Sequence, residues 1–269
     1  MDIAQAFDFT GYKVVLIGTG IGVNGPEDVA SSSAAAFTRC GAEVLVAQAT
    51  KEAAEATAEA IREAGGEPRV VVHDPRDPYG PQRLAADLPE GWDTVDTLVT
   101  HHFANDFGRF PDLSIEQFEE TVRINLTGVY AASQAFLPHL KRSSRASMVH
   151  AGSIDGTYGN PNVVSYSASK GAVHSLVHVL AAELASSGIR VNGISRAGSS
   201  AMPLKTDIVA ELGRATPLRP VAEPDEYAAA VLYLASRAAS YVTGVLLPVD
   251  GGRTAATPGC SPGYTGYRH

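Results

Sequence analysis

Cysteine is almost missing: Cys40 and Cys260 are the only two in 269 residues. Neither has a second Cys or a His at ligand spacing, which excludes a disulfide framework and a Cys/His metal cluster, and no metal is expected. Cys40 reads as a buried helix residue and Cys260 as part of a tail. No apolar run approaches the roughly 20 residues needed to span a bilayer. The amino terminus lacks the basic-then-apolar pattern of a secretion leader. These absences predict a cytoplasmic chain with no membrane association. Positive charge is also short, with 21 Lys and Arg against 29 Asp and Glu for a net charge of -8. The basic residues are scattered, so no surface is set up to displace counterions from a duplex, and nucleic acid is excluded as a partner.

What remains is an ordinary globular balance, with 45% apolar and 19% charged residues. The length suits one α/β domain over 1–269. Strand-length apolar runs at 13–17, 43–47, 69–73, 97–100, 146–151, 190–194 and 245–248 alternate with segments of helical period at 30–39, 51–64, 115–141, 163–186 and 226–236. That alternation predicts an α/β fold, a doubly wound Rossmann-type sheet of seven parallel strands with helices on both faces. Two stretches break the pattern. Residues 197–224 are rich in small residues and Pro and are long for a connection, as substrate lids are. An irregular tail occupies 253–269.

The first strand runs into Gly18-Thr19-Gly20-Ile21-Gly22-Val23-Asn24-Gly25. Gly20, Gly22 and Gly25 satisfy G-x-G-x-x-G, in which glycines permit a tight turn and let the backbone approach a pyrophosphate at a helix N-terminus. Gly18 opens the same run. The second strand ends in Gln48, where a carboxylate would hold the ribose hydroxyls of NAD. Gln48 removes a repulsion against a 2′-phosphate, and Thr50 and Lys51 are available donors, so NADP(H) is preferred over NAD(H). Asp74, ending the third strand, is a partner for the adenine amino group or an N-cap.

The strongest chemistry lies in Tyr166-Ser167-Ala168-Ser169-Lys170. Residues four apart share a helix face, so phenol and ammonium project into one cavity. A nearby cation favours phenolate and draws a Tyr toward general acid/base work. Ser153 follows a strand, at the sheet edge where open α/β folds bind ligands. Asn125 sits inside a long helix, an awkward place for a side chain that prefers caps, and a buried Asn has to be hydrogen-bonded. Val249-Asp250-Gly251-Gly252 follows the last strand.

Together these pieces resemble the short-chain dehydrogenase/reductase family, in its conventional subgroup, over about 13–252. The resemblance rests on Tyr166 and Lys170, Ser153 thirteen residues before Tyr166, Asn125 in Asn-x-x-Gly, and Asp250-Gly251-Gly252. It implies a Ser-Tyr-Lys-Asn tetrad. Tyr166 exchanges a proton with the substrate oxygen, Ser153 polarises that oxygen, Lys170 holds the nicotinamide ribose, and Asn125 steadies a relay water. It further implies a homotetramer or dimer built through the long helices, and a small-molecule carbonyl or alcohol substrate.

The chain departs from the family pattern at three places. Glu27 stands where the last glycine of the first turn belongs. His101-His102-Phe103-Ala104 replaces the usual Asn-Asn-Ala-Gly, placing His102 at the cofactor and His101 and Phe103 toward the substrate. Arg196-Ala197-Gly198 replaces the usual Pro-Gly, with Gly198 beside the nicotinamide amide. Asp155 and Met202 complete the expected substrate contacts. Two activities follow. One is interconversion of a ketone and a secondary alcohol on a small or medium organic substrate. The alternative is non-redox lyase, cyclase or dehalogenase-like chemistry by Ser153 and Tyr166 without nicotinamide turnover.

Overall fold

The computed structural model describes residues 5–22, 29–202 and 205–255. Seven strands, β1 (Lys13–Gly22), β2 (Glu43–Gln48), β3 (Arg69–Val72), β4 (Thr97–Asn105), β5 (Ser147–Ser153), β6 (Arg190–Arg196) and β7 (Leu246–Val249), form one sheet in the order β3-β2-β1-β4-β5-β6-β7. Every strand pair is parallel. Strand order reverses between β1 and β4, which opens a crevice at their carboxyl ends.

Alternation along the strands divides the core in two. Val14 and Leu16 face one side with Phe37 of α1 (Val29–Arg39) and Tyr227 and Val231 of α8 (Pro224–Ala235). Val15 and Ile17 face the other with Phe136 and Leu140 of α5 (Gly128–Leu140). The remaining helices are α2 (Lys51–Glu63), α3 (Gly80–Ala86), α4 (Ile115–Val122), α6 (Val164–Leu184) and α7 (Thr206–Arg214).

Three departures from the sequence-based expectation bear on function. Residues 115–141 do not form one helix: a π-helical turn at Arg123–Thr127 separates α4 from α5. The stretch 197–224 contains a helix, α7. The glycine run does not turn at Gly18. β1 continues through Gly22, in register with β4 from Gly18↔His101 to Gly22↔Asn105. β4 runs five residues past its expected end at Thr100 and so offers main-chain partners along the glycine segment. Gly25, Glu27 and Cys260, together with the tail from 256 on, lie outside the described residues.

Candidate active site

β5 ends in Ser153, and a 3-10 turn, Ile154–Gly156, follows at once. The Ser153 hydroxyl caps that turn by accepting from the Asp155 amide at 3.1 Å, and it donates to the Arg196 carbonyl at 3.4 Å. The turn is pressed against α6. A Cβ at Gly156 would stand 2.7 Å from the Lys170 carbonyl carbon and 2.8 Å from the Gly171 nitrogen. Glycine therefore lets the Ser153 turn and the helix of Tyr166 and Lys170 touch through main chain.

Tyr166 and Lys170 are buried on one face of α6, with the Lys170 Nζ 5.7 Å from the Tyr166 ring centroid. The ammonium donates to the carbonyls of His102, at 2.6 Å, and Ala151, at 2.8 Å. Lys170 thus ties β4 to β5 from within the crevice while lying beside the phenol. Asn125 occupies the π-helical turn. Its carboxamide accepts from the Ala104 amide at 2.7 Å and donates to the Ala104 carbonyl at 2.8 Å, and to Ser169 Oγ at 3.0 Å. The side chain thus locks the end of β4 to α6, and this insertion accounts for the interrupted helix.

A cavity of 330 Å³ opens in front of this face, lined by Ser153, Tyr166, Phe103, Asp155, Met202 and Gly198 among others. Of the expected substrate residues, Phe103, Asp155 and Met202 are brought together there. His101 is not among the lining residues: it lies behind β4, its Nε2 at 3.2 Å from Ser33 Oγ of α1. His102 packs under α5, where a Cβ at Gly128 would meet its ring at 2.7 Å. Burial and the nearby Arg196 and Lys170 charges push His101 down to about 3, and burial with Lys170 pushes His102 well below its ordinary range. Both imidazoles are neutral at pH 7. Burial pushes the Asp155 carboxyl up, against the opposing effects of Asn160, Arg253, Ser153 and Arg196. A larger cavity of 630 Å³ lies at the amino ends of the strands, beside Tyr12, Arg145 and Arg190, and is lined by none of Ser153, Asn125, Tyr166 and Lys170.

The residues expected at the adenosine end are held locally. Gln48 is buried and its amide donates to Thr57 Oγ1 at 2.7 Å. Thr50 caps α2 by accepting from the Ala53 amide. Asp74 is exposed and accepts from the Arg76 amide. Gly18, Gly20 and Gly22 occupy alternate positions of β1. At Gly18 a Cβ would stand 2.6 Å from Ala30 Cβ and 2.7 Å from Gln48 Oε1, so only glycine fits there. The crevice where strand order reverses between β1 and β4, with the Tyr166 phenol and Lys170 ammonium of α6 beside it, fits a nicotinamide dinucleotide lying across the switch point.

Sequence reasoning noted Arg196 only as a departure and did not single out Asn105 or Arg253, yet all three line the cavity. The available signal was a guanidinium closing an apolar strand, Val191 to Arg196, at the sheet edge that binds ligands.

Comparison with known proteins agrees with this geometry. A family model described as Enoyl-(Acyl carrier protein) reductase matches residues 22–254. The cis-4-hydroxycyclohexanecarboxylate dehydrogenase of Sinomonas cyclohexanicum is 32% identical, covering 84% of this chain and 92% of its own length. Glucose 1-dehydrogenase 2 of Bacillus subtilis (strain 168) is 33% identical, covering 75% and 80%. A solved structure from Beutenbergia cavernae, described as a candidate NAD(P)-dependent gluconate 5-dehydrogenase with NADP bound at low occupancy, superposes with a TM-score of 0.82 at 28% identity, covering 93% of this chain and 100% of that one. The chain belongs to the short-chain dehydrogenase/reductase family. It is an NAD(P)-dependent oxidoreductase of the alcohol–ketone kind, and the non-redox alternative is not favoured.

Proposed function

We propose that the chain reversibly oxidises a secondary alcohol of a small organic substrate to the ketone, with Ser153, Tyr166, Lys170 and Asn125 as its working residues and NADP(H) preferred over NAD(H). The observation that carries this is the shared face of α6: a phenol that opens with Ser153 onto one cavity, and a buried ammonium behind it, 5.7 Å from ring centroid to Nζ. A nicotinamide held across the β1–β4 crevice would supply or accept the hydride. Tyr166 gives a proton to the ketone oxygen in reduction and takes it back in oxidation. The Ser153 hydroxyl hydrogen-bonds the same oxygen and fixes its direction. The Lys170 ammonium steadies negative charge as it develops on the Tyr166 oxygen. Asn125 acts by position, holding the end of β4 against α6 so that Lys170 and Tyr166 keep their places.

Several finer assignments belong to the same reading. Gln48 leaves β2 without a carboxylate that would repel a 2′-phosphate, and the exposed Lys51 beside it supplies a cation. Gly18, Gly20, Gly22 and Gly25 form the pyrophosphate side, with Thr50, Asp74, His102 and Gly198 along the cofactor's length. The relatives' names span a cyclic hydroxy acid and a sugar, which supports a small hydroxylated substrate. The chain works as one cytoplasmic domain over 1–269, with a lid at 197–224. It assembles as a homotetramer through α4, α5 and α6, whose Ile115, Tyr130 and Val179 are exposed. Among the described residues no helix is long and apolar enough to cross a membrane.

Calorimetric titration with NADPH and NADH tests the cofactor assignment, and the Tyr166→Phe variant tests the chemistry. Binding of NADPH is expected, with kcat about 10²- to 10⁴-fold lower in Tyr166→Phe and cofactor affinity retained. Absence of binding to either nucleotide at roughly millimolar concentration, a typical upper KM, removes the redox reading.

A further inference from the structure

Asn105 is the last residue of β4 and lines the cavity, with 8% of its surface exposed. Its carboxamide makes no hydrogen bond among the described residues, and the Oδ1 atom is fully buried without a partner. Neighbouring polar groups of the lining are engaged. The Ser153 hydroxyl is bonded to main chain, and the Asn160 amide donates to Asp155 Oδ1 at 3.3 Å. An unpaired buried carboxamide is unfavourable by itself, and a ligand that pairs with it removes that penalty. Because no bond pins the Asn105 side chain and its terminal torsion is soft, either Oδ1 or Nδ2 can turn to the cavity.

The main chain that carries Asn105 is fixed. Asn125 holds both main-chain groups of Ala104, at 2.7 and 2.8 Å, and Ala104 is the residue between Phe103 and Asn105. Alternation along a strand puts Phe103 and Asn105 on one face, and both line the cavity. Phe103 stands edge-on to Tyr166, with ring centroids 5.5 Å apart. Two residues of strand rise, roughly 6.6 Å, carry Asn105 past Phe103. The remaining wall is apolar, made by Val163, Met202, Ile208 and Leu212, and at 330 Å³ the space is at the small end of ligand cavities.

A carboxamide both donates and accepts, which matches a hydroxyl, and it carries no charge with which to balance a buried ion. We infer that the substrate is a compact diol, its reacting hydroxyl presented to Tyr166 and Ser153 and its second hydroxyl held by Asn105, with an apolar body between them against α7. The strand spacing past Phe103 places the second hydroxyl on a distal carbon and not on the one next to the reacting carbon. Oxidation moves a hydride from the reacting carbon to the nicotinamide and the hydroxyl proton to Tyr166, and the second hydroxyl leaves unchanged in a hydroxyketone. Asn105 is then the specificity-determining residue. The placement of the reacting oxygen rests on the redox reading above, whereas the hydroxyl site at Asn105 does not.

The test uses the full chain and the reduced cofactor, with which an alcohol cannot react. Binding of cyclohexane-1,4-diol, cyclohexane-1,2-diol and cyclohexanol is measured by calorimetry with NADPH present, in the wild type and in Asn105→Leu, which keeps the side-chain size and removes both polar atoms. The wild type is expected to bind the 1,4-diol about ten- to hundredfold more tightly than cyclohexanol, because the mono-alcohol leaves the carboxamide unpaired. That ratio falls to near one in Asn105→Leu. Equal affinity for the 1,4-diol and cyclohexanol, tighter binding of the 1,2-diol than of the 1,4-diol, or binding of none of the three to the wild type overturns the inference, and none of these needs the variant to fold. A ratio unchanged in Asn105→Leu overturns it as well. Failure of the redox reading appears separately, as absent NADPH binding in the cofactor titration, and leaves the diol-to-cyclohexanol ratio readable without cofactor.

Discussion

Single side chains at this site are used for more than one purpose, and substitution exposes which purpose dominates. Gln48 fills the space beside Gly18 and holds Thr57, while denying β2 a terminal carboxylate. Gln48→Asp introduces a negative charge where a 2′-phosphate is proposed to lie. The ratio of NADPH to NADH dissociation constants is expected to rise by about tenfold or more, in the direction of weaker NADPH binding, as like charges meet at short range. An unchanged ratio in parallel fluorescence titrations removes Gln48 from cofactor selection. Ser153, Asn125, Tyr166 and Lys170, the four residues proposed to work together, could be singled out in the sequence because a hydroxyl, a phenol and an ammonium at fixed spacing leave a pattern. The bonds they make were not. Nothing in Asn-x-x-Gly says that the Asn125 carboxamide would take both main-chain groups of Ala104, since that pairing depends on two elements meeting in space.

Among the elements, the contact that matters most is the one made with least side chain. The 3-10 turn after Ser153 meets α6 at Gly156, where an added methyl would collide with the main chain around Lys170. Backbone cannot rotate away as a side chain can, so Gly156→Ala must push the turn from the helix. A destabilisation of about 1–3 kcal/mol is expected in denaturant titration, with kcat falling and Ser153 displaced from Tyr166. Wild-type stability together with wild-type kcat would show that the turn relaxes freely. Strands and most helices were readable from apolar period, since β2, β4 and β5 are buried on both faces and alternate with long helical segments. The glycine run was misread in its first residues for a physical reason: the motif describes a loop, but a parallel partner of sufficient length keeps Gly18 to Gly22 in the sheet. α7 was hidden in a Pro-rich stretch because Ile208, 41% exposed, and half-buried Leu212 line the cavity wall and give too short a period to stand out.

At the scale of the whole molecule, the interior of the sheet's carboxyl end is unusually rich in uncharged imidazole. His101 is pushed down to about 3 and His150 to about 4, in both cases first by burial. An unfolded chain protonates these groups near 6.5. Between about pH 6.5 and 4 the unfolded state therefore binds protons that the folded state refuses, and stability rises with pH across that window. Their contribution is fully present above pH 6.5 and is lost as pH falls toward the folded values, at a limiting slope of about 1.4 kcal/mol per pH unit for each group. Urea midpoints measured at pH 7 and pH 5 are expected to drop accordingly. Equal midpoints would mean that the imidazoles take up protons without unfolding. Seven-stranded architecture and the position of the crevice were legible from the order of elements, whereas this buried imidazole layer was not, because alternate residues of a strand look alike until the two faces are assigned. The cavity itself is built from two unequal halves. One wall is fused to α6 through the main chain at Gly156, and the other is the short helix α7, which meets the cavity through Ile208 and Leu212 alone. Redesign of the enzyme for a bulkier ketone should therefore begin on α7, where side chains can be exchanged while Ser153, Tyr166 and Lys170 stay in register.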